Sequence, residues 1–226
     1  MEEHTLIVIP ISSETAEPWL LKRHYAQRLC PVTYAFGAYE NSILLGVVTF
    51  GVPFSPQLKT GICGEDWKNN VLELNRLCCE SRKNLASHLV GSALRCLPKP
   101  SVVVSFADTE QGHVGYIYQA TNFIYTGLSA KRSNWKIKGK EHLHSGTIAD
   151  LSRGKKDRAE WMRKEFGSNF YLEERSRKHR YVYFCGSRSQ KKKMRSALRY
   201  EVESYPKGET QRYNADASIN NQLILL

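Results

Sequence analysis

With 226 residues, 41% of them hydrophobic and 24% charged, the chain has an ordinary globular composition and the length of one sizeable domain with an appendage. Its longest apolar runs, such as Ile43 to Val48, fall well short of the ~20 residues that cross a bilayer, and Met1-Glu2-Glu3-His4 lacks the basic opening of a secretory signal. Fibrous and membrane-embedded classes are thereby excluded, and the cytoplasm is the expected location. The formal charge of +11 is regional: Lys131 to Arg199 carries 21 basic and 7 acidic residues, while the remainder is slightly acidic, as in a body joined to a phosphate-tracking surface.

In chain order, His4 to Ile11 is β-branched and apolar and reads as a strand. Ser12 to Glu17 then supplies N-cap chemistry for a helix expected to run to about Arg28. Tyr34 to Tyr39 and Ile43 to Gly51, joined by Glu40-Asn41-Ser42, predict a β-hairpin. Gly51 to Asn70, with two prolines and three glycines, predicts a long loop of the kind that serves as a lid. Val71 to Cys79 alternates as a strand, Asn84 to Leu97 has helical periodicity, and Ser101 to Ala107 is a buried strand, which together make a β-α-β unit. A helix over Gln111 to Thr121 and a strand over Phe123 to Leu128 complete an α/β (α+β) mixed sheet with helices on both faces.

Beyond Ser129 the pattern is less regular. A short strand is expected around Trp135, a weak helix over Lys155 to Phe166, a firm strand over Arg180 to Cys185 and a basic helix over Met194 to Tyr200. The predicted organisation is a core over 1–130, a basic excursion over 131–200 that completes the sheet, and a mobile polar tail over 201–226. Arg175, Arg177, Lys178, Arg180 and Lys191-Lys192-Lys193 lie among Trp135, Trp161, Phe170, Tyr171, Tyr181 and Tyr183, the mixture of cations and stacking surfaces that binds double-stranded DNA. A solvated charged face is the competing reading. The six cysteines form no C-x-x-C pair, which favours reduced thiols packed as small hydrophobes over zinc or a disulfide framework.

Strand, hairpin, strand, turn, helix, strand, helix, strand resembles the order of the GNAT acyltransferase fold. That resemblance implies two splayed strands and an acyl-coenzyme A pyrophosphate on the turn after the fourth strand, here Glu80 to Ser87. Asn84 and Ala86 stand where the family has glycines, so Arg82, Lys83, Asn84 and Ser87 are the candidate cofactor contacts. Asn84 acting only as a helix cap is the alternative.

A more specific resemblance lies in Ser105 to Phe123, in Glu73-Leu74-Asn75-Arg76-Leu77, in His24-Tyr25 and in Lys178-His179-Arg180-Tyr181. Together these segments resemble the phage Mom family over about Pro10 to Gly186. The resemblance implies an enzyme that converts adenine in DNA to its N6-carbamoylmethyl form and so blocks restriction. His24, Tyr25, Arg76, Asp108 and Tyr118 are its candidate catalytic residues. Asp108, at the end of an apolar strand, is placed to act as a general base or to orient a neighbour, or else to cap the next helix. Tyr118 is either a general acid toward a leaving group or a core tyrosine. Arg76 within a sheet calls for an anion, which Asp108, a cofactor phosphate or the substrate could supply.

His24, Tyr25, Asp108 and Tyr118 are also N and O ligands that would suit iron. The donor is acyl-CoA or another two-carbon amide. No membrane partner is expected, and a homodimer is one arrangement left open. From a different class, a non-catalytic basic DNA-binding accessory protein on a degenerate GNAT core is the alternative function.

Overall fold

The computed structural model describes residues 6–143 and 145–208. His4-Thr5 of the first expected strand and residues 209–226 of the expected tail lie outside the described residues. The chain divides into two compact units. One comprises residues up to Ala107, His113–Gly127 and the chain from His179 onward; the other comprises Asp108–Gly112 and Leu128–Lys178.

The first unit is built on a seven-stranded mixed sheet, ordered β1 (Ile7–Ile11), β2 (Tyr34–Glu40), β3 (Ile43–Gly51), β4 (Val71–Cys79), β5 (Ser101–Asp108), β9 (Lys178–Cys185) and β6 (Ile124–Leu128). Neighbours from β1 to β4 run antiparallel, whereas β4 and β5 are parallel, as the intervening helix α3 (Leu85–Cys96) requires. The β2–β3 turn uses Asn41 and Ser42 at φ 49° and 66°, the paired left-handed conformations that suit a two-residue hairpin. Alternate residues feed opposite faces. Val103 packs with Leu89, Val90 and Leu94 of α3, while Val102 and Val104 meet Ile62 of α2 (Pro56–Cys63) and Met194 of α7 (Arg188–Ser196). Cys78 and Cys79 divide in the same way, Cys78 packing against Ala16 and Leu20 of α1 (Ser13–Lys22) and Cys79 against the α3 side. The result is an α/β layered architecture with helices on both faces.

Several expected boundaries move, each for a local reason. Helix α1 ends at Lys22, and Gln27 sits at φ 41°, so His24 and Tyr25 lie in a turn and not in a helix. The expected lid over Gly51 to Asn70 is largely ordered: Ser55 caps α2, Pro56 occupies its first turn, and a 3-10 turn spans Glu65–Asn70. The long helix over Gln111 to Thr121 shrinks to α4 (Tyr116–Ala120), because Gly112 and Gly115 take φ 66° and 80°. The basic helix begins earlier than expected, where Ser187 and Gln190 form a reciprocal capping box at the start of α7. Residues 201–208, expected on composition to be mobile, are pinned: Glu203 N–H donates to the Tyr125 carbonyl, and the Tyr205 hydroxyl to that of Phe123 at 2.6 Å.

The second unit pairs β7 (Arg132–Ile137) with β8 (Phe170–Arg175) and packs α5 (Ser145–Asp150) and α6 (Arg158–Phe166) around Ile137, Ile148, Met162 and Phe170. Neither α5 nor β8 is among the elements expected from sequence. Phe170-Tyr171-Leu172 alternates for too few residues before Glu173-Glu174-Arg175 to stand out from the charged background.

Candidate active site

The site begins with a register break. Thr49 of β3 faces Arg76 while the next residue, Phe50, faces Leu74, so Asn75 is an extra residue in β4. Such a bulge bends a strand and re-aims its side chains. Consistent with that bend, β4 and β5 pair only from Val71↔Val102 to Glu73↔Val104 and then part. Where the ladder stops, the Ser105 hydroxyl donates to the Leu74 carbonyl at 2.9 Å and takes the place of a backbone donor. Asn75 also tethers a distant loop: it accepts from Thr49 Oγ1 at 2.7 Å and donates from Nδ2 to the Pro31 carbonyl at 2.7 Å. Gly51 is obligatory beside this tether, since a Cβ there would overlap the Pro31 carbonyl oxygen.

The tethered loop carries His24 and Tyr25. His24 is 7% exposed, and its Nδ1 accepts the Ala26 N–H at 3.0 Å, which places the ring proton on Nε2. Burial, with the charges of Arg76 and His113 beside it, lowers the His24 pKa to about 3, so the ring is neutral at physiological pH and presents Nε2–H as a donor. Tyr25 stacks on His24 at 4.5 Å between centroids and meets His113 edge-on at 6.2 Å. Arg76 donates from one terminal nitrogen to the Asn75 carbonyl at 2.7 Å, while its buried Nε–H has no hydrogen-bond partner among the described residues. An orphaned charged donor in a protein interior is costly and marks a place for an acceptor. Tyr118 of α4 packs against Phe123 and Tyr181. Burial pushes its phenol up to about 12, the Ser105 side chain opposes this, and Tyr25 and Glu73 raise it further, so the phenol holds its proton at neutral pH.

Four of the five expected catalytic residues, His24, Tyr25, Arg76 and Tyr118, therefore share the first unit with electrostatic or ring contacts linking them. His113, Ser105 and Glu73 join them and were not singled out from sequence, although each lies within a segment that carries the family resemblance. Asp108 is not in this group. It belongs to the second unit, where Oδ2 pairs with Lys178 Nζ at 2.8 Å and Oδ1 accepts from Ser176 Oγ and from the Glu110 amide, each at 3.1 Å. Partial burial raises its pKa, but Lys178, the Glu110 N–H and Ser176 outweigh this, and the net shift is downward. Asp108 thus caps the 3-10 turn over Thr109–Gln111 and holds an ion pair within the second unit. No group of three or more His, Cys, Asp and Glu side chains among the described residues is placed to hold a metal ion, so the iron expected at His24, Tyr25, Asp108 and Tyr118 is not supported.

The phosphate turn is altered but structured. Asn84 adopts φ 63°, the left-handed conformation usually left to glycine, and its side chain does not cap α3. Arg82 is bidentate to Glu40 at 2.7 and 2.8 Å, whereas Lys83 is exposed and the Ser87 hydroxyl donates to the Asn84 carbonyl at 3.1 Å.

The basic residues also separate by role. Arg177 donates to the Ser129 and Leu128 carbonyls, Lys178 holds Asp108, and Arg180 is bound to Thr126 and lies 3.4 Å from the Tyr200 ring centroid. These three are spent inside the fold. Lys191, Lys192 and Lys193 are exposed on α7, and Arg175 is exposed at the end of β8. Arg175 lines a concavity of ≈ 460 Å³ with Glu110, Glu173 and Glu174, a poor setting for phosphate. The aromatic residues expected to stack on bases are mostly packed: Phe170 and Tyr181 are buried, and Trp135 and Trp161 lie against the second unit's core.

The sequence model of the Mom protein family matches residues 5–207. The chain belongs to the Mom protein family. A Mom relative, the methylcarbamoylase mom of Escherichia phage Mu, is 27% identical over 206 residues, covering 86% of this chain and 83% of its own. Among solved structures, this Mom chain is similar to Arabidopsis thaliana NAA60 in complex with a bisubstrate analogue, with a TM-score of 0.47, 12% identity and coverage of 80% and 98% of the two chains. It is also similar to a GNAT family acetyltransferase from Elizabethkingia anophelis with acetyl-CoA bound, with a TM-score of 0.42, 11% identity and coverage of 79% and 97%.

Proposed function

We propose that this chain is a phage DNA-modification transferase that places a carbamoylmethyl group on N6 of adenine in duplex DNA and so protects that DNA from restriction in the host cytoplasm. The observation that carries this reading is the gathering of His24, Tyr25, Arg76 and Tyr118 around the bulged β4 of a Mom-family chain. In the reaction the N6–CH2 bond forms, the donor's bond to that carbon breaks, and N6 loses a proton, which through water makes up the one given to the leaving group. Arg76 Nε–H and His24 Nε2–H are the donors available to a carbonyl oxygen of the transferred amide. Tyr118, protonated at neutral pH, supplies a proton to the leaving group, and Tyr25 offers its ring face to the base.

The donor follows from the same chemistry. An acyl-CoA-type donor would bring its phosphates to Lys83 and the start of α3, where the helix dipole favours an anion. Attack on a thioester carbonyl leaves an amide on N6 and not an N–CH2 bond, so acyl transfer either is followed by further chemistry or gives way to another two-carbon amide donor.

Nucleoside mass spectrometry of DNA from cells expressing the chain tests the proposal. A carbamoylmethyl deoxyadenosine is expected, with loss of cutting at adenine-containing restriction sites. Abundant folded protein with only the four standard nucleosides would favour the accessory DNA-binding reading, for which the pairing of Arg82 with Glu40 in the phosphate turn is the supporting observation.

A further inference from the structure

Phe54 is 94% exposed, more than any other large hydrophobic residue described. Scattered exposed apolar side chains are ordinary, but an aromatic ring almost wholly in water is not. The backbone beneath it is fixed on both sides. Pro53 is buried; Ser55 caps α2 by accepting from the Leu58 N–H at 3.4 Å; and Pro56 follows at the start of the helix. Phe54 thus projects from a short backbone segment bracketed by a buried proline and a helix cap.

Its position is set by the same tether that positions the active site. Phe54 follows Gly51 by three residues, at most about 11 Å of chain. Gly51 abuts the Pro31 carbonyl and the Asn75 side chain, and it pairs with Glu73 across the sheet. Val52 (48% exposed) and Leu29 (52%) lie in the two segments that meet there, and the exposed Arg28 adjoins Leu29. The first unit thus presents one protruding ring beside the loops that flank Asn75 and lead back to His24.

Adenine N6 is paired inside a duplex, and an enzyme that acts on it there must extrude the base and leave a gap in the stack. We propose that Phe54 is the wedge that enters this gap and stacks on the bases beside the extruded adenine. The occupant is the interior of a DNA duplex: a single projecting aromatic ring fits an interbase step and is too narrow a feature for a stable protein interface. This inference rests on the reading of the site as one that acts on a base in duplex DNA.

The test uses the full-length protein and duplexes in which one adenine is replaced by 2-aminopurine, whose fluorescence rises when it leaves the stack, with randomised flanking sequence. Wild type is expected to brighten the probe on binding. Phe54→Ala should bind DNA within about threefold of wild type, lose most of the brightening, and lower modified adenine in cellular DNA about tenfold or more. Phe54→Trp should restore both. Placing the target opposite an abasic site, where extrusion is already cheap, should restore the binding-induced brightening by Phe54→Ala. Full brightening and full modification by Phe54→Ala would overturn the wedge while leaving the proposed function intact. Loss that an abasic partner does not rescue, or a change of oligomeric state in Phe54→Ala, would also overturn it, the latter in favour of a protein contact. Failure of the proposed function looks different: wild-type protein would then neither modify DNA nor brighten the probe.

Discussion

Arg76 and His24 show how one side chain's burial sets another's chemistry. The orphaned Nε–H of Arg76 and the neutral His24 ring are neighbours, and the arginine's charge is one reason that the ring stays neutral. Arg76→Lys keeps a positive charge but loses the planar fork and its Nε–H. Modification is expected to fall about 100-fold with little loss of stability, read by nucleoside mass spectrometry beside thermal unfolding. Tyr118→Phe should lower modification to a similar degree while keeping the ring packing with Phe123 and Tyr181. His24 also carries a pH signature. Its folded pKa of about 3 lies below the ordinary value of 6.5, so between those limits the unfolded chain binds the extra proton. Stability should therefore fall as pH drops from 6.5 toward 3, by up to about 1.4 kcal/mol per pH unit. Urea titrations at stepped pH should show this slope in wild type and a shallower one in His24→Gln.

Among the elements, β4 matters most, because its single inserted residue performs three tasks. Asn75 bends the strand away from β5, re-aims Arg76, and holds the Pro31 loop. The alternation of Val71 to Cys79 makes the strand legible in sequence, but nothing local distinguishes a bulge residue from a ladder residue. The bulge exists only relative to the register of β3. Gly51→Ala tests the tether: the new Cβ would overlap the Pro31 carbonyl, and a loss of about 2 kcal/mol or more is expected by denaturant unfolding, with modification falling as the loop shifts. The α2 helix carries the opposite lesson. Ser55-Pro56 is a recognisable helix start, yet the prolines and glycines of Gly51 to Asn70 outweigh it when the segment is read by composition.

For the whole molecule, the charge segregation visible in the sequence resolves into cations of two kinds. Arg177, Lys178 and Arg180 are consumed by carbonyls, a carboxylate and a hydroxyl, while Lys191, Lys192 and Lys193 remain exposed on α7. Replacing those three lysines with glutamine should weaken DNA binding across sequences and flatten the log–log salt slope by about 0.9 for each duplex phosphate that is no longer neutralised. Replacing Arg175, set among three glutamates, should change the slope little. Binding isotherms from low to moderate salt would check both.

The fold class and the family were accessible from sequence because both rest on short-range signals. Strands alternate with period two, helices are announced by their caps, and the family segments are contiguous runs that survive without knowledge of the fold. Tertiary structure alone decided which polar groups remain available. Asp108 and Arg76 look alike in sequence as charges on apolar strands, yet Lys178, 70 residues away in the chain, satisfies the first while nothing among the described residues satisfies the Nε–H of the second. Hydrogen bonding is settled by partners that the chain brings from far away, so a sequence can nominate a charged residue, but its availability for chemistry is fixed only once every competing donor and acceptor is in place.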